Sequence, residues 1–156
     1  MKLKMTGLAV FAVAAVAAGC GGGDDEEALS KADFVKQGNK ICTDFNTAVD
    51  KDAEKAFAGL ESASDVTPEV ARKFFDAALP KFDDAVDDLD ALGAPEGDED
   101  TVQAIIDAGK SDSKAIEDVK DDDAAITKFV TQGSATPDFD KKAEDYGLTE
   151  CGTQNA

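Results

Sequence analysis

The 156-residue chain contains no histidine and no tryptophan, and it has one tyrosine, four prolines and three cysteines. Without histidine it cannot form a Ser-His or Cys-His catalytic couple, a haem histidine ligand or the Glu-x-x-His pairs of di-iron bundles. Basic residues are also scarce, with 16 lysines and arginines against 34 aspartates and glutamates, a formal net charge of −18. Such a chain is a poor partner for the phosphates of nucleic acid. We therefore expect no nucleic-acid binding, no cofactor and no enzymatic activity.

The first twenty residues have the pattern of an export signal. Lys2 and Lys4 precede an apolar run over residues 8–18, and small residues lead up to Cys20. An uncleaved membrane helix is the alternative, but this run is well short of the roughly 20 apolar residues that a span requires. The glycine-rich and then acidic residues 21–27 that follow are typical of a flexible tether.

The stretch Val16-Ala17-Ala18-Gly19-Cys20 resembles the lipobox of bacterial lipoproteins. The resemblance implies cleavage before Cys20 and attachment of a diacylglycerol to its sulfur. The acyl chains, palmitate among them, would anchor the protein to the cell membrane or cell envelope on the extracytoplasmic side. An ordinary secretory signal that has a cysteine here by chance is the alternative. The predicted divisions are a signal peptide at 1–19, an acylated cysteine and tether at 20–29, a domain at 30–152 and a tail at 153–156.

Cleavage before Cys20 changes what the remaining chain contains. Loss of Lys2 and Lys4 leaves 14 basic residues against 34 acidic ones, a formal charge of −20. Cys42 and Cys151 are then the two cysteines without a lipid, and in an oxidising compartment an even remainder indicates one disulfide. Two unpaired buried thiols are the alternative, because free cysteine often packs as a small apolar residue.

Apolar residues recur at spacings of three and four over long stretches, which predicts amphipathic helices and no strands. Ser30 followed by Asp33, and Thr67 followed by Pro68, are typical of helix starts, and Thr136-Pro137 repeats the second pattern. We predict three long helices near residues 30–60, 67–92 and 98–119, and a fourth that is broken into two short helices before residue 147. This pattern predicts an all-α fold, an antiparallel up-down helical bundle.

The two cysteines stand in a longer pattern of residues. Phe34-x-x-Gln37-x-x-x-Ile41-Cys42 and Tyr146-Gly147-Leu148-x-x-Cys151-Gly152 resemble a pattern in uncharacterised helical secreted proteins and lipoproteins of actinobacteria. The resemblance implies a similar fold and topology, and it implies no activity. An even number of bundle helices would also return the end of the chain to the end where the first helix begins, which favours the pairing of Cys42 with Cys151.

Four aspartates of the second helix are the candidates for a metal site. Asp83 and Asp87, and likewise Asp84 and Asp88, stand one turn apart on the side away from the apolar stripe. Carboxylate oxygens suit Ca²⁺ or Mg²⁺, but a helix splays them too far apart for six or more ligands, and no Asp-x-Asp-x-Asp-Gly loop exists. A solvated acidic face is the simpler interpretation, and we assign no metal site.

One fragment imitates a catalytic motif. Ser111-Asp112-Ser113-Lys114 matches Ser-x-x-Lys, but the Ser-Asp-Asn and Lys-Thr-Gly motifs that penicillin-binding enzymes also need do not occur. Chance on a polar helical face is the better explanation. We therefore expect a lipid-anchored extracytoplasmic helical protein that acts through an unknown protein partner, as a cell-surface interaction or structural module. A binding protein for a small ligand or divalent cation is the alternative, since phenylalanines between helices can line a pocket.

Overall fold

A computed structural model describes residues 29–131 and 136–152. The described residues form helices and two short 3₁₀ turns without any strand, which confirms the all-α prediction. The helices are α1 Lys31–Ala56, α2 Pro68–Ala91, α3 Glu99–Val119, α4 Asp123–Thr131 and α5 Pro137–Tyr146, and the 3₁₀ turns are Ala63–Asp65 and Thr149–Cys151. The helices pack as a bundle. The predicted signal peptide, Cys20, most of the tether and the tail lie outside the described residues.

Two of the predicted helix starts are confirmed. The Ser30 hydroxyl oxygen accepts a hydrogen bond from the Asp33 backbone N–H at 3.1 Å and caps α1. In the same way Thr67 accepts from the Val70 N–H at 3.3 Å and caps α2, whose first residue is Pro68. The first amides of a helix have no partner within the helix, so a side-chain oxygen at this position stabilises the start.

The predicted end of the first helix, near residue 60, is wrong. α1 ends at Ala56, and Gly59 then adopts a φ of +85°, in the left-handed region that favours glycine. Leu60 still packs against the buried residues beneath the turn. The apolar spacing therefore continues beyond the helix, because the same core also covers the connecting segment.

Pro80 lies inside α2, and the helix continues through it as one element, as predicted. Proline has no N–H to donate and crowds the preceding turn. The Lys81 ammonium donates to the Ala77 carbonyl of that turn at 2.7 Å and forms an ion pair with Asp52 of α1 at 2.6 Å. The contact with Lys81 lowers the pKa of the Asp52 carboxyl below its usual value. The interruption in α2 is thus joined to α1 by a lysine.

Two clusters of buried side chains form the core. The larger cluster joins α1, α2, α3 and α5, and its most deeply buried members are Phe34, Val86, Leu89, Ile105, Ile106 and Leu148. The smaller cluster includes residues of α2, α3 and α4, namely Val66, Ala71, Phe75, Leu79, Ile116 and Ile126. Removal of such apolar surface from water is the main favourable contribution to folding.

The end of the described chain packs back against α1. Cys42 and Cys151 form a disulfide with 4.9 Å between their Cα atoms, as predicted. Leu148 is 1% exposed and covers Gly38 so closely that a Cβ atom at residue 38 would lie 2.5 Å from a Leu148 methyl group. The absence of a side chain at Gly38 thus makes room for Leu148.

Asn39 adds hydrogen bonds to this contact. Its amide nitrogen donates to the Gly147 carbonyl at 3.2 Å, and its side-chain oxygen accepts from the Glu150 N–H at 2.9 Å. We call the contacts between α1 and residues 146–151 the C-terminal clamp. Most residues of the paired-cysteine pattern lie in this clamp, so the pattern corresponds to a structural contact.

We predict that the Cys42→Ala/Cys151→Ala variant folds with a free energy of unfolding lower by about 4 kcal/mol, because the disulfide closes a very long loop in the unfolded chain. Urea denaturation followed by circular dichroism measures the difference. Reductant should destabilise the unaltered protein by the same amount and leave the variant unchanged. Equal stability of the variant and the oxidised protein would contradict the prediction.

Candidate functional site

A cleft of about 500 Å³ opens where the starts of α1 and α3 meet the end of α5. We call it the Tyr146 cleft. Its charged or aromatic lining residues are Lys31, Asp98, Asp100, Lys142, Asp145 and Tyr146. The volume falls within the range of about 300–1,000 Å³ that is usual for small-ligand sites. The sequence gave no warning of this cleft, because its residues come from three separated segments.

The ring of Tyr146 is held from two sides. Its hydroxyl donates to the Asp98 carboxylate at 2.8 Å. Its edge-to-face contact with Phe34 places the ring centroids 5.9 Å apart at an angle of 86°. Tyr146 is 7% exposed, so both its position and its orientation are fixed by the core and by α3.

Lys31, the first residue of α1, completes the arrangement. Its ammonium lies 4.1 Å from the centroid of the Tyr146 ring and 3.3 Å from an Asp98 carboxylate oxygen. The ammonium therefore contacts both the negative face of an aromatic ring and a carboxylate, which are the two groups that stabilise a cation at a protein surface. The Lys31 side chain itself is 56% exposed.

The titration behaviour of the two acidic groups follows from these contacts. The hydrogen bond from Tyr146, with a further contribution from Lys31, lowers the pKa of the Asp98 carboxyl although its partial burial acts in the opposite direction. Burial, and then the hydrogen bond to Asp98, raises the pKa of the Tyr146 hydroxyl above its usual 10.0. At neutral pH the pair consists of a neutral phenol and a carboxylate.

The four aspartates proposed as weak metal candidates lie on the solvent side of α2. Asp83, Asp84, Asp87 and Asp88 are all exposed, in agreement with the interpretation as a solvated face. Within residues 29–131 and 136–152, no group of three or more carboxylate, cysteine or histidine side chains is placed to hold a metal ion. Among the same residues, no helix has the length and apolar character to cross a membrane.

The Ser-x-x-Lys fragment has a structural role that the sequence did not indicate. Lys114 pairs with Asp118 one turn later at 2.9 Å, and it has no contact with Ser111 in the structure's set of hydrogen bonds. Asp112 is buried, so the expectation of a chance match on a polar face is wrong for this residue. Its carboxylate accepts the Phe139 N–H at 2.9 Å and thereby caps the start of α5 from α3.

This cap replaces the one expected from Thr136-Pro137. Thr136 makes no side-chain hydrogen bond to the first amides of α5, and its hydroxyl donates to Asp140 at 2.9 Å. Burial raises the pKa of the Asp112 carboxyl, because the ionised form is less well solvated, although the Phe139 N–H partly opposes the effect. A local sequence pattern cannot reveal a cap that another helix supplies.

No protein family, no curated protein and no solved structure matches the chain. The function must therefore be argued from the residues themselves. Cys20, the predicted lipid attachment point, lies outside the described residues, and Cys42 and Cys151 belong to the C-terminal clamp. The Tyr146 cleft is the arrangement of charged, aromatic and hydroxyl groups that best fits a small molecule.

We predict that Asp98→Asn lowers the pKa of Tyr146 toward its usual 10.0, because the substitution removes the negative charge that disfavours the phenolate. The chain has one tyrosine and no tryptophan, so an absorbance titration of tyrosinate reports Tyr146 alone. Asp100→Asn is the matched control, since it removes the same charge from the cleft lining without removing the hydrogen bond. Equal shifts in the two variants would contradict the assignment.

A second prediction concerns Asp112. Its raised pKa means that the folded protein holds this proton more tightly than the unfolded chain, so the group favours folding below its ordinary pKa of 3.8 and loses that contribution as pH rises through the folded pKa. In Asp112→Asn the side chain does not ionise, while its oxygen can still accept the Phe139 N–H. The unaltered protein should therefore lose stability relative to Asp112→Asn as pH rises from about 3.5 to about 7.

Urea denaturation at a series of pH values measures the stability difference between Asp112→Asn and the unaltered protein. Asp107→Asn, an exposed change on the same helix, is the control for the loss of one negative charge. A difference for Asp112→Asn that stays constant over this pH range, or that matches the control, would refute the assignment.

Proposed function

We propose that this protein is a lipid-anchored extracytoplasmic helical domain that acts as an interaction or structural module at the cell surface. The observation that carries the proposal is the lipobox-like stretch ending at Cys20, which directly precedes a glycine-rich and acidic tether and then a folded body. The anchor would hold the domain at the membrane, and the tether would let it stand away from the surface. The partner is a protein whose identity the chain does not reveal.

Two further observations support this location. The Cys42–Cys151 disulfide is of the kind that persists in oxidising compartments outside the cytoplasm. The formal charge of −18 keeps such a domain soluble and disfavours close contact with anionic lipid head groups. Attachment would thus depend on the acyl chains and not on the surface of the domain.

We also propose that the domain is an antiparallel up-down bundle of three long helices and a fourth that is broken into α4 and α5. The pairing of α1 with α2 supports this arrangement, because partners along α2 move backward as α1 advances. Such pairs are Phe45 with Phe82, Asp52 with Lys81 and Phe57 with Phe74. Contacts of Asp112 with Phe139 and of Asp98 with Tyr146 follow the same rule between α3 and α5.

We predict that Cys20→Ala abolishes lipid attachment and releases the protein from the membrane fraction of a bacterial host that processes lipoproteins. The reason is that the acyl chains require the Cys20 sulfur, and loss of their buried methylene groups removes the membrane affinity. Membrane fractionation, together with mass spectrometry of the first mature peptide, measures both effects. Cys42→Ala/Cys151→Ala is the control and should keep its lipid. Membrane retention of Cys20→Ala with an unmodified first peptide in the unaltered protein would disprove the proposal.

The Tyr146 cleft favours a second candidate function, the binding of a small ligand. It combines an aromatic ring, carboxylates, ammonium groups and the apolar side chains of Ala104 and Ile105 in one concavity. A few polar groups on a partly apolar surface are typical of ligand sites. Binding of a divalent cation by the exposed aspartates of α2 stays an alternative within the same class, and it lacks a comparable concavity.

A further inference from the structure

We propose that the Tyr146 cleft binds an organic ammonium compound, and that the Lys31 side chain occupies the ammonium position when no ligand is bound. The inference rests on the second candidate function and is independent of the lipid anchor. It assigns to the cleft both a chemical class of ligand and a competitor within the protein.

The position of the Lys31 ammonium identifies the chemistry of the site. A cation placed there lies 4.1 Å from the Tyr146 ring centroid and 3.3 Å from the Asp98 carboxylate. Both contacts are available to any ammonium group, whether it belongs to a lysine or to a ligand. The protein thus presents a cation site with its own cation in place.

The receptor half of this site is rigid, whereas its occupant is mobile. Tyr146 is fixed by Phe34 and by its hydrogen bond, and Asp98 is fixed at the start of α3, where its carbonyl accepts the Val102 N–H at 2.9 Å. Lys31 reaches the site through a four-carbon stem whose side chain is 56% exposed. Rotation of this side chain into solvent would therefore vacate the position without any change in the backbone.

The cleft has room and charge for an external cation. Its volume of about 500 Å³ is far larger than an ammonium group needs, so a ligand can also place a carbon skeleton against Ala104 and Ile105. Asp98, Asp100 and Asp145 outnumber the two lysines of the lining, in a chain of formal charge −18. This electrostatic field raises the local concentration of cations and repels simple anions.

Lys142 adds selectivity to the site. It lines the cleft, and within residues 29–131 and 136–152 its ammonium has no ion-pair partner in the set of contacts that the structure gives. A ligand that carries a carboxylate on the far side from its ammonium group would pair with Lys142. We therefore expect zwitterionic amines to bind at least as well as simple amines of equal length.

Three four-carbon probes test the proposal: butylammonium, 4-aminobutanoate and butanoate. They are titrated against the protein, Lys31→Ala and Lys40→Ala, with the fluorescence of Tyr146 as the readout, because the chain has no other tyrosine and no tryptophan. Lys40→Ala is the matched control, since Lys40 lies on the same helix, carries the same charge and pairs with Asp44 outside the cleft.

Removal of the competitor should strengthen ligand binding. We expect Lys31→Ala to bind butylammonium about tenfold more tightly than the unaltered protein does, since an occluded site reduces the apparent affinity by the fraction of molecules that are open. Lys40→Ala should bind like the unaltered protein. Lys31→Ala/Asp98→Asn should lose the gain, because the carboxylate partner of the ammonium is gone.

Other outcomes would overturn the inference. Equal butylammonium affinities in Lys31→Ala and Lys40→Ala would show that Lys31 does not compete for the site. Binding of butanoate alone would show a ligand site for anions, which leaves the second candidate function intact and excludes the ammonium ligand. No response to any probe in Lys31→Ala would exclude the ammonium ligand as well, while the result for Cys20 would decide the anchoring function separately.

Discussion

The C-terminal clamp is the contact on which the arrangement of this domain depends. It joins Cys42 to Cys151 across 109 residues of chain, and it seats Leu148 above Gly38. The disulfide restricts the unfolded chain, whereas the buried leucine stabilises the folded one. Because α5 leads directly into this segment, the clamp also fixes the end of α5. Tyr146 is thereby held against the starts of α1 and α3, so the cleft exists only because the chain returns to α1.

The acidic composition is compatible with this fold because most carboxylates face solvent and the buried ones have donors. Asp112 accepts the Phe139 N–H, and Asp140 accepts the Thr136 hydroxyl. Exposed pairs one helical turn apart, such as Lys40 with Asp44, contribute only about 0.3–0.5 kcal/mol each. Such pairs cannot offset the mutual repulsion of a chain with a formal charge of −18. The core and the disulfide must therefore supply the stability.

What the sequence could predict was set by how local each signal is. The cap at Ser30 depends on residues three positions apart, so it was recognisable, and the cysteine pair followed from counting in a chain with an export signal. The end of α1 was misjudged because Leu60 packs on the core from outside the helix. The hydrogen bond of Asp98 with Tyr146 spans 48 residues, and no spacing rule links residues that far apart. The candidate site was therefore invisible until the fold brought its segments together.

The contact between Lys31 and Tyr146 is one that the fold does not need. Lys31 is placed by the Ser30 cap, and Tyr146 is placed by the clamp, so each residue keeps its position without the other. At a half-exposed site a cation–π contact is worth about 0.5–1 kcal/mol, far less than a disulfide that closes a long loop. A ligand that displaces the Lys31 ammonium would therefore lose little folding free energy and would regain the same ring and carboxylate contacts. This near balance is what makes an internal ammonium exchangeable for an external one.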